Sequence, residues 1–264
     1  MRGDVGARVL AAIPAVIFAV FIVAQGGLIF ALGLIALGIL CLHELYTMTE
    51  RVRPVKLAGF LGLAALILCA HFGDQFQIVL ALALCVPVTF LLSLLRPGRE
   101  LVSWSIAVTL LGVVWIGVAL AHAVLLRAEP HGGAIVVAVL IGTFLGDTAA
   151  YFGGRAWGRR PLAPLISPNK TLEGLLCGIA GGTFAFWLYM FGWQDWIPGG
   201  QALLIGFCVA LAAPLGDLFE SLLKRDLEVK DTGRVFGAHG GALDRLDAVF
   251  FTAVTAYYVT HAVL

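Results

Sequence analysis

Two clusters of side chains in the second half of the chain have the types and spacing to bind a phosphorylated ligand. The denser one runs from Gly216 to Asp247. Asp217 and Glu220 stand three residues apart, as do Asp244 and Asp247, and at that spacing each pair shares one helix face. Between the pairs lie Lys224, Arg225, Lys230 and Asp231, followed by Gly237, Ala238, His239, Gly240 and Gly241. The glycines of that turn let backbone N–H groups come close to an anion. Carboxylates at helix ends, flanked by cations, suit a magnesium-bound phosphate, because Mg2+ takes hard oxygen ligands and needs only one or two carboxylates beside phosphate oxygens and water. Plainer readings stand beside this one. Lys224 lies four residues after Glu220 and can simply pair with it, Asp226 and Glu228 read as solvated loop charges, and His239 serves equally as ligand, acid–base group or turn residue.

The second cluster holds Asp147, Tyr151, Gly154, Arg155, Gly158, Arg159 and Arg160, then Ser167, Pro168, Lys170, Thr171, Glu173 and Gly174. Ser167-Pro168 reads as a turn leading into a helix whose N-terminus carries Lys170 and Thr171. Free N–H groups and partial positive charge at such an end accept phosphate readily. Arg159 and Arg160 also fit a basic anchor on anionic lipid head groups. That reading leaves Asp147, at the end of an apolar run, without an explanation. In the first half, Glu44 beside His43 is the main ionisable group within an apolar run, and its place near the run's end reads as interfacial.

The elements that must carry these residues follow from composition. The chain has 264 residues, 61% hydrophobic and 12% charged, with a mean hydropathy of +0.99. A soluble domain carries roughly twice that share of charge, so a water-exposed globule is excluded. The expected fold class is an all-α polytopic integral membrane protein. A crossing helix needs about 20 apolar residues, and nine stretches qualify, near 9–24, 27–47, 57–72, 77–95, 101–126, 133–152, 172–191, 202–222 and 245–263. The third is the shortest. Arg2 and Arg8 ahead of an apolar run resemble a signal-peptide start, but Pro14 interrupts the run and no small-residue cleavage pattern follows. The organisation expected is an N-terminal membrane region over 1–130 and a C-terminal catalytic region over 131–264, with cytoplasmic loops at 153–171 and 223–244. Cys41, Cys69, Cys85, Cys177 and Cys208 all sit in apolar runs and read as small buried hydrophobes.

Charge placement orients the spans. With nine crossings, sixteen of the 17 Lys and Arg residues fall on one side and Arg127 alone on the other. That side, with the N-terminus, is expected to be cytoplasmic. Nine of the 16 acidic residues also gather at helix ends there: Asp147, Glu173, Asp217, Glu220, Asp226, Glu228, Asp231, Asp244 and Asp247. The net charge of +1 carries no basic, aromatic-interleaved face, so no nucleic-acid partner is expected. A transporter would show polar groups near midplane and internal repeats, and neither is evident.

The run Ser221, Lys224-Arg225, Lys230-Asp231, Gly233, His239-Gly240-Gly241, Leu243-Asp244-Arg245-Leu246-Asp247 resembles the signature of phosphatidate cytidylyltransferases, also called CDP-diacylglycerol synthases. Asp147, Ala150-Tyr151, Gly154-Arg155, Gly158-Arg159, Ser167-Pro168, Lys170-Thr171 and Glu173-Gly174 resemble that family's second block. The likeness covers about 100 residues of the C-terminal half by this spacing of polar and glycine positions. The chain departs from it in having Phe236-Gly237-Ala238 and Ala242 around His-Gly-Gly. The resemblance implies CTP and phosphatidate as substrates, the latter held in the bilayer, with a cytoplasm-facing site in the cytoplasmic membrane. It implies Asp217 and Asp244 as metal ligands with Asp247 supporting, two Mg2+ ions, and room for a monovalent cation such as K+ in one position. It also implies catalytic roles for Lys224, Arg225, Asp231 and Asp247, and substrate contacts from Asp147, Lys170, Thr171, Glu173, Lys230, His239, Gly240, Gly241 and Arg245. A homodimer is compatible with it. Lipid-nucleotide enzymes such as CDP-archaeol synthases or polyprenol kinases share the same general architecture and stay open at this point, as does a catalytically inactive membrane scaffold.

Overall fold

The computed structural model describes the backbone of residues 3–12 and all atoms of residues 13–95, 100–233 and 240–264. His239, Arg234 and the Phe236-Gly237-Ala238 turn lie outside the described residues, as do Arg2, the Arg96-Pro97-Gly98 breaker and Arg99.

Helices dominate, each over one of the expected apolar runs: α1 (Gly3–Gln25), α2 (Gly27–Met48), α3 (Lys56–Phe72), α4 (Gln75–Leu94), α5 (Val102–Gly112) continued through a π turn (Val113–Gly117) into α6 (Val118–Ala128), α7 (Gly132–Trp157), α8 (Leu172–Trp193), α9 (Gly199–Asp226) and α10 (Leu243–Val263). Among the described residues, seven helices are long and apolar enough to cross a membrane, with 102–128 as a single rod; α3, at 17 residues, is shorter. Rows of exposed large apolar side chains, among them Val20, Phe76, Leu91, Phe184, Phe191 and Leu211, face outward. Such a surface matches lipid rather than water. None of the five cysteines forms a disulfide, and Cys41 and Cys85 are buried.

The breaks have local causes. Gly26 and Gly27 take left-handed φ of 66° and 51°, which ends α1 and turns the chain into α2. Arg127, the cation set apart by the charge count, donates from Nε to the Val23 carbonyl at 3.0 Å and so caps the end of α1. Asp74 and Gln77 form a reciprocal capping box at the start of α4.

The chain divides into two compact units, Met1–Ala128 with Leu227–Arg245, and Glu129–Asp226 with Leu246–Leu264. In the first, Leu42, Leu45, Tyr46, Leu63, Leu66 and Ile116 are fully buried. Tyr46 donates to the Thr109 carbonyl at 3.0 Å, while the Thr109 hydroxyl accepts from the Val55 amide at 2.8 Å, tying α2 and the 49–55 turn to α5. In the second, α7 and α8 meet along a seam of glycines: a Cβ at Gly182 would lie 2.8 Å from the Gly142 carbonyl oxygen and 3.1 Å from Ala210 Cβ. Close backbone approach of this kind holds helices together in lipid. Gly182→Leu is therefore expected to lower the thermal midpoint of the detergent-solubilised protein, since overpacking costs roughly 1–3 kcal/mol. An unchanged midpoint would contradict the seam.

One expectation is corrected here. The Ser167-Pro168 turn is instead the start of a strand: β1 (Pro161–Ala163) and β2 (Ser167–Thr171) form an antiparallel hairpin pairing Pro161 with Thr171 and Ala163 with Ser167. The fold is thus helical with one small hairpin. Around the expected loops 153–171 and 223–244, α7 continues to Trp157, α9 runs to Asp226 and α10 begins at Leu243. Glu44, near the end of α2, is buried among protein groups, at 3% exposure.

Candidate active site

In the second unit, four elements bring one group of charges together. Asp147 comes from α7, Lys170 from β2, Asp217 from α9 and Asp247 from α10. Lys170 and Asp217 form an ion pair through Nζ and Oδ2, both side chains half-buried. The carboxylates of Asp147, Asp217 and Asp247 lie close enough for their charges to interact, with Lys170 and Lys224 as opposing cations. Asp247 is buried and its Oδ1 accepts from the Ala248 amide at 2.8 Å. The approach of α9 to α10 depends on Gly216, where a Cβ would fall 2.3 Å from the Asp247 carbonyl oxygen. No larger residue fits there without separating the helices that carry Asp217 and Asp247.

The hairpin side of this group is held by capping. Thr171 caps α8, its Oγ1 accepting from the Gly174 amide at 3.1 Å. Glu173 Oε2 accepts from the amides of Arg159 at 3.0 Å and Arg160 at 3.1 Å, which fixes the chain entering β1. Arg225 donates from Nε to the Ile166 carbonyl at 3.1 Å, so this cation secures the hairpin tip to the end of α9. Lys224 pairs with buried Glu220 at 2.6 Å, the local partner that the four-residue spacing suggested. Thr171, Glu173 and Arg225 thus all make contacts that position Lys170.

The remaining expected residues that are described, Lys230, Asp231, Gly240, Gly241, Asp244 and Arg245, belong to the first unit. Asp244 opens α10 and its Oδ2 accepts from the Gly241 amide at 2.7 Å and the Thr232 amide at 3.1 Å. Gly240 has φ of 81°, and a Cβ there would lie 2.5 Å from Asp244 Oδ2, so this turn requires glycine twice over. Lys230, Asp231 and Arg245 are exposed.

Residues that sequence reasoning left aside are Glu44 and Thr232. Glu44 Oε1 accepts from the Ala242 amide at 2.9 Å, and Oε2 accepts from the Leu243 amide at 2.8 Å and the Thr232 hydroxyl at 3.2 Å. The available signal was chemical: a carboxylate in an apolar helix is costly and usually carries a task.

The donor set fits a hard divalent cation. Among the described residues no three His, Cys, Asp or Glu side chains close around a single ion. Mg2+ does not need such a cage, since it usually keeps waters and takes the rest of its shell from substrate phosphates. Carboxylates that share a cation, as Asp217 does with Lys170, supply the oxygens such an arrangement uses.

The profile of the Cytidylyltransferase family matches residues 6–263. The phosphatidate cytidylyltransferase of Bacillus subtilis is 30% identical over 263 residues, covering 97% of each chain. That of Staphylococcus aureus is 32% identical over 252 residues, covering 92% of this chain and 94% of the relative. That of Helicobacter pylori is 42% identical over 128 residues, 48% of this chain and 47% of the relative.

Proposed function

Because this chain belongs to the cytidylyltransferase family, we propose that it transfers CMP from CTP to phosphatidate, giving CDP-diacylglycerol and pyrophosphate. The observation that carries the proposal is the ion pair of Lys170 with Asp217 inside a group of three interacting carboxylates carried by α7, α9 and α10. A phosphate oxygen of phosphatidate attacks the α-phosphorus of CTP, the new P–O bond forms, the bond to the β-phosphate bridging oxygen breaks, and pyrophosphate leaves with the electron pair. Both partners are anions, so rate enhancement rests on positioning and charge neutralisation. The phosphate monoester is largely ionised near neutral pH, and no strong base is required of the chain.

Asp217 and Asp247 in the second unit, and Asp244 in the first, would each offer carboxylate oxygens to Mg2+, with a second ion accompanying CTP and K+ admissible in one position. When bound, the metal neutralises charge on the phosphates and on the leaving pyrophosphate. Lys170 meets the incoming phosphate from β2, and its exchange of Asp217 for that phosphate keeps its charge neutralised throughout. Thr171 and Glu173 hold the hairpin that presents Lys170. Lys224, Arg225, Lys230 and Arg245 supply further positive charge for triphosphate or lipid phosphate, Asp231 takes part in catalysis, and Asp147, His239, Gly240 and Gly241 contact substrate.

The site faces the cytoplasm in this reading. The charge count of sixteen cations on one side supports it, as does the cytosolic location of CTP. Nine crossings with the N-terminus inside satisfy the same count. The acyl chains then stay in the bilayer while the head group reaches helix ends. Incubating the purified protein with labelled CTP and Mg2+, and with either phosphatidate or a polyprenol, tests the substrate: lipid-linked CMP from phosphatidate alone is expected, and labelling of the polyprenol would overturn the choice.

A further inference from the structure

Resting on the reading above, in which Asp244 belongs to the reaction site, we propose that Glu44 is a positioning residue: it clamps the start of α10 and the turn at Thr232, and through them sets the Asp244 carboxylate. The clamp is built from chain segments about two hundred residues apart in sequence, within one compact unit.

Glu44 sits in α2, a helix of otherwise apolar character, and is 3% exposed. Burying a carboxylate costs several kcal/mol unless donors replace its water. Here three donors do so: the Ala242 amide at 2.9 Å, the Leu243 amide at 2.8 Å and the Thr232 hydroxyl at 3.2 Å. A carboxylate only accepts, and such charge-assisted bonds are about twice as strong as neutral ones. The Leu243 amide opens α10, where N–H groups have no partner within the helix, and the Ala242 amide lies immediately before it.

The surrounding backbone is shaped to admit this side chain. A Cβ at Gly241 would lie 2.3 Å from Glu44 Oε2, and one at Gly233 would lie 2.5 Å from Oε1. Thr232 then links the two carboxylates. Its hydroxyl donates to Glu44, while its amide donates to Asp244 Oδ2 at 3.1 Å. Gly241, packed against Glu44, donates its amide to the same Asp244 oxygen at 2.7 Å. The Thr232 and Gly241 amides that donate to Asp244 thus belong to residues in contact with Glu44. A glutamine at position 44 keeps the length but replaces one acceptor with an NH2 group that faces a donor.

The test compares wild-type protein with Glu44→Gln and with Thr232→Val, which removes only the hydroxyl bond. Amide hydrogen exchange over residues 240–246, with and without Mg2+, is read alongside a Mg2+ titration of CDP-diacylglycerol formation. In Glu44→Gln, exchange over 240–246 accelerates about tenfold. The Mg2+ concentration for half-maximal rate rises about tenfold, as for other groups that orient metal ligands. The rate at saturating Mg2+ recovers to within about twofold. Thr232→Val shifts both quantities in the same direction by less, and decides the matter if Glu44→Gln does not fold. Unchanged exchange overturns the clamp. Faster exchange with an unmoved Mg2+ midpoint, or an equal rate loss at every Mg2+ level, reduces Glu44 to a purely structural role and overturns the proposal. If wild-type protein forms no CDP-diacylglycerol, the functional reading fails instead; Mg2+-dependent protection of 240–246 then decides whether Glu44 sets a metal-binding Asp244.

Discussion

Asp217→Ala lowers the initial rate of CDP-diacylglycerol formation by on the order of a thousandfold, about 4 kcal/mol in the activation barrier. The expectation follows from what Asp217 holds. Its Oδ2 pairs with Lys170, its Oδ1 accepts from the Ser221 hydroxyl at 3.4 Å, and its charge is felt by both Asp147 and Asp247. Removing it takes one oxygen donor from the cation-binding group and frees Lys170 from the place where it meets substrate. The fold should survive, because the side chain is half-buried and the helix contact at this level is made by Gly216. Rates are compared at equal amounts of monodisperse protein in detergent. A variant within about threefold of wild type would sink the assignment, since loss of a group acting only in the transition state costs far more.

Asp244→Ala is expected to lose a comparable factor of about a thousand, for two reasons that a second substitution separates. Alanine removes the oxygens proposed for the metal, and it also strips the Gly241 and Thr232 amides of their acceptor. A buried amide left unsatisfied costs about 1–3 kcal/mol, so the α10 start should loosen as well. Asp244→Asn retains a carbonyl oxygen that can accept from Gly241. It should therefore keep near-native thermal stability while turnover stays at least about a hundredfold down. Asparagine restoring turnover along with stability would mean that Asp244 serves the turn alone.

Much of the helical architecture was legible in the sequence, because apolar run length and breakers such as Gly26-Gly27 act locally. The aspartates were legible too, since a carboxylate at the end of an apolar run stands out against its neighbours. What escaped depends on distant partners or short elements. The β1–β2 hairpin has strands of three and five residues, too short to display a period. Ser167-Pro168 carries turn chemistry although it lies in a strand. The partners of Glu44 escaped because its three donors are 188 to 199 positions away. The hold of Arg225 on the hairpin escaped as well, because the Ile166 carbonyl that accepts from its Nε is 59 residues upstream. Long-range hydrogen bonding, not residue type, reveals these contacts.

The central claim is cytidylyl transfer onto a lipid phosphate, and the fate of two labels tests it most directly. Purified protein is given phosphatidate, Mg2+ and CTP labelled at either the α- or the γ-phosphate. The α label should pass into the lipid and the γ label into pyrophosphate, in equal molar amounts and only with Mg2+ present. Transfer of the γ label to lipid would show a kinase, and absence of the α label from lipid would contradict the account.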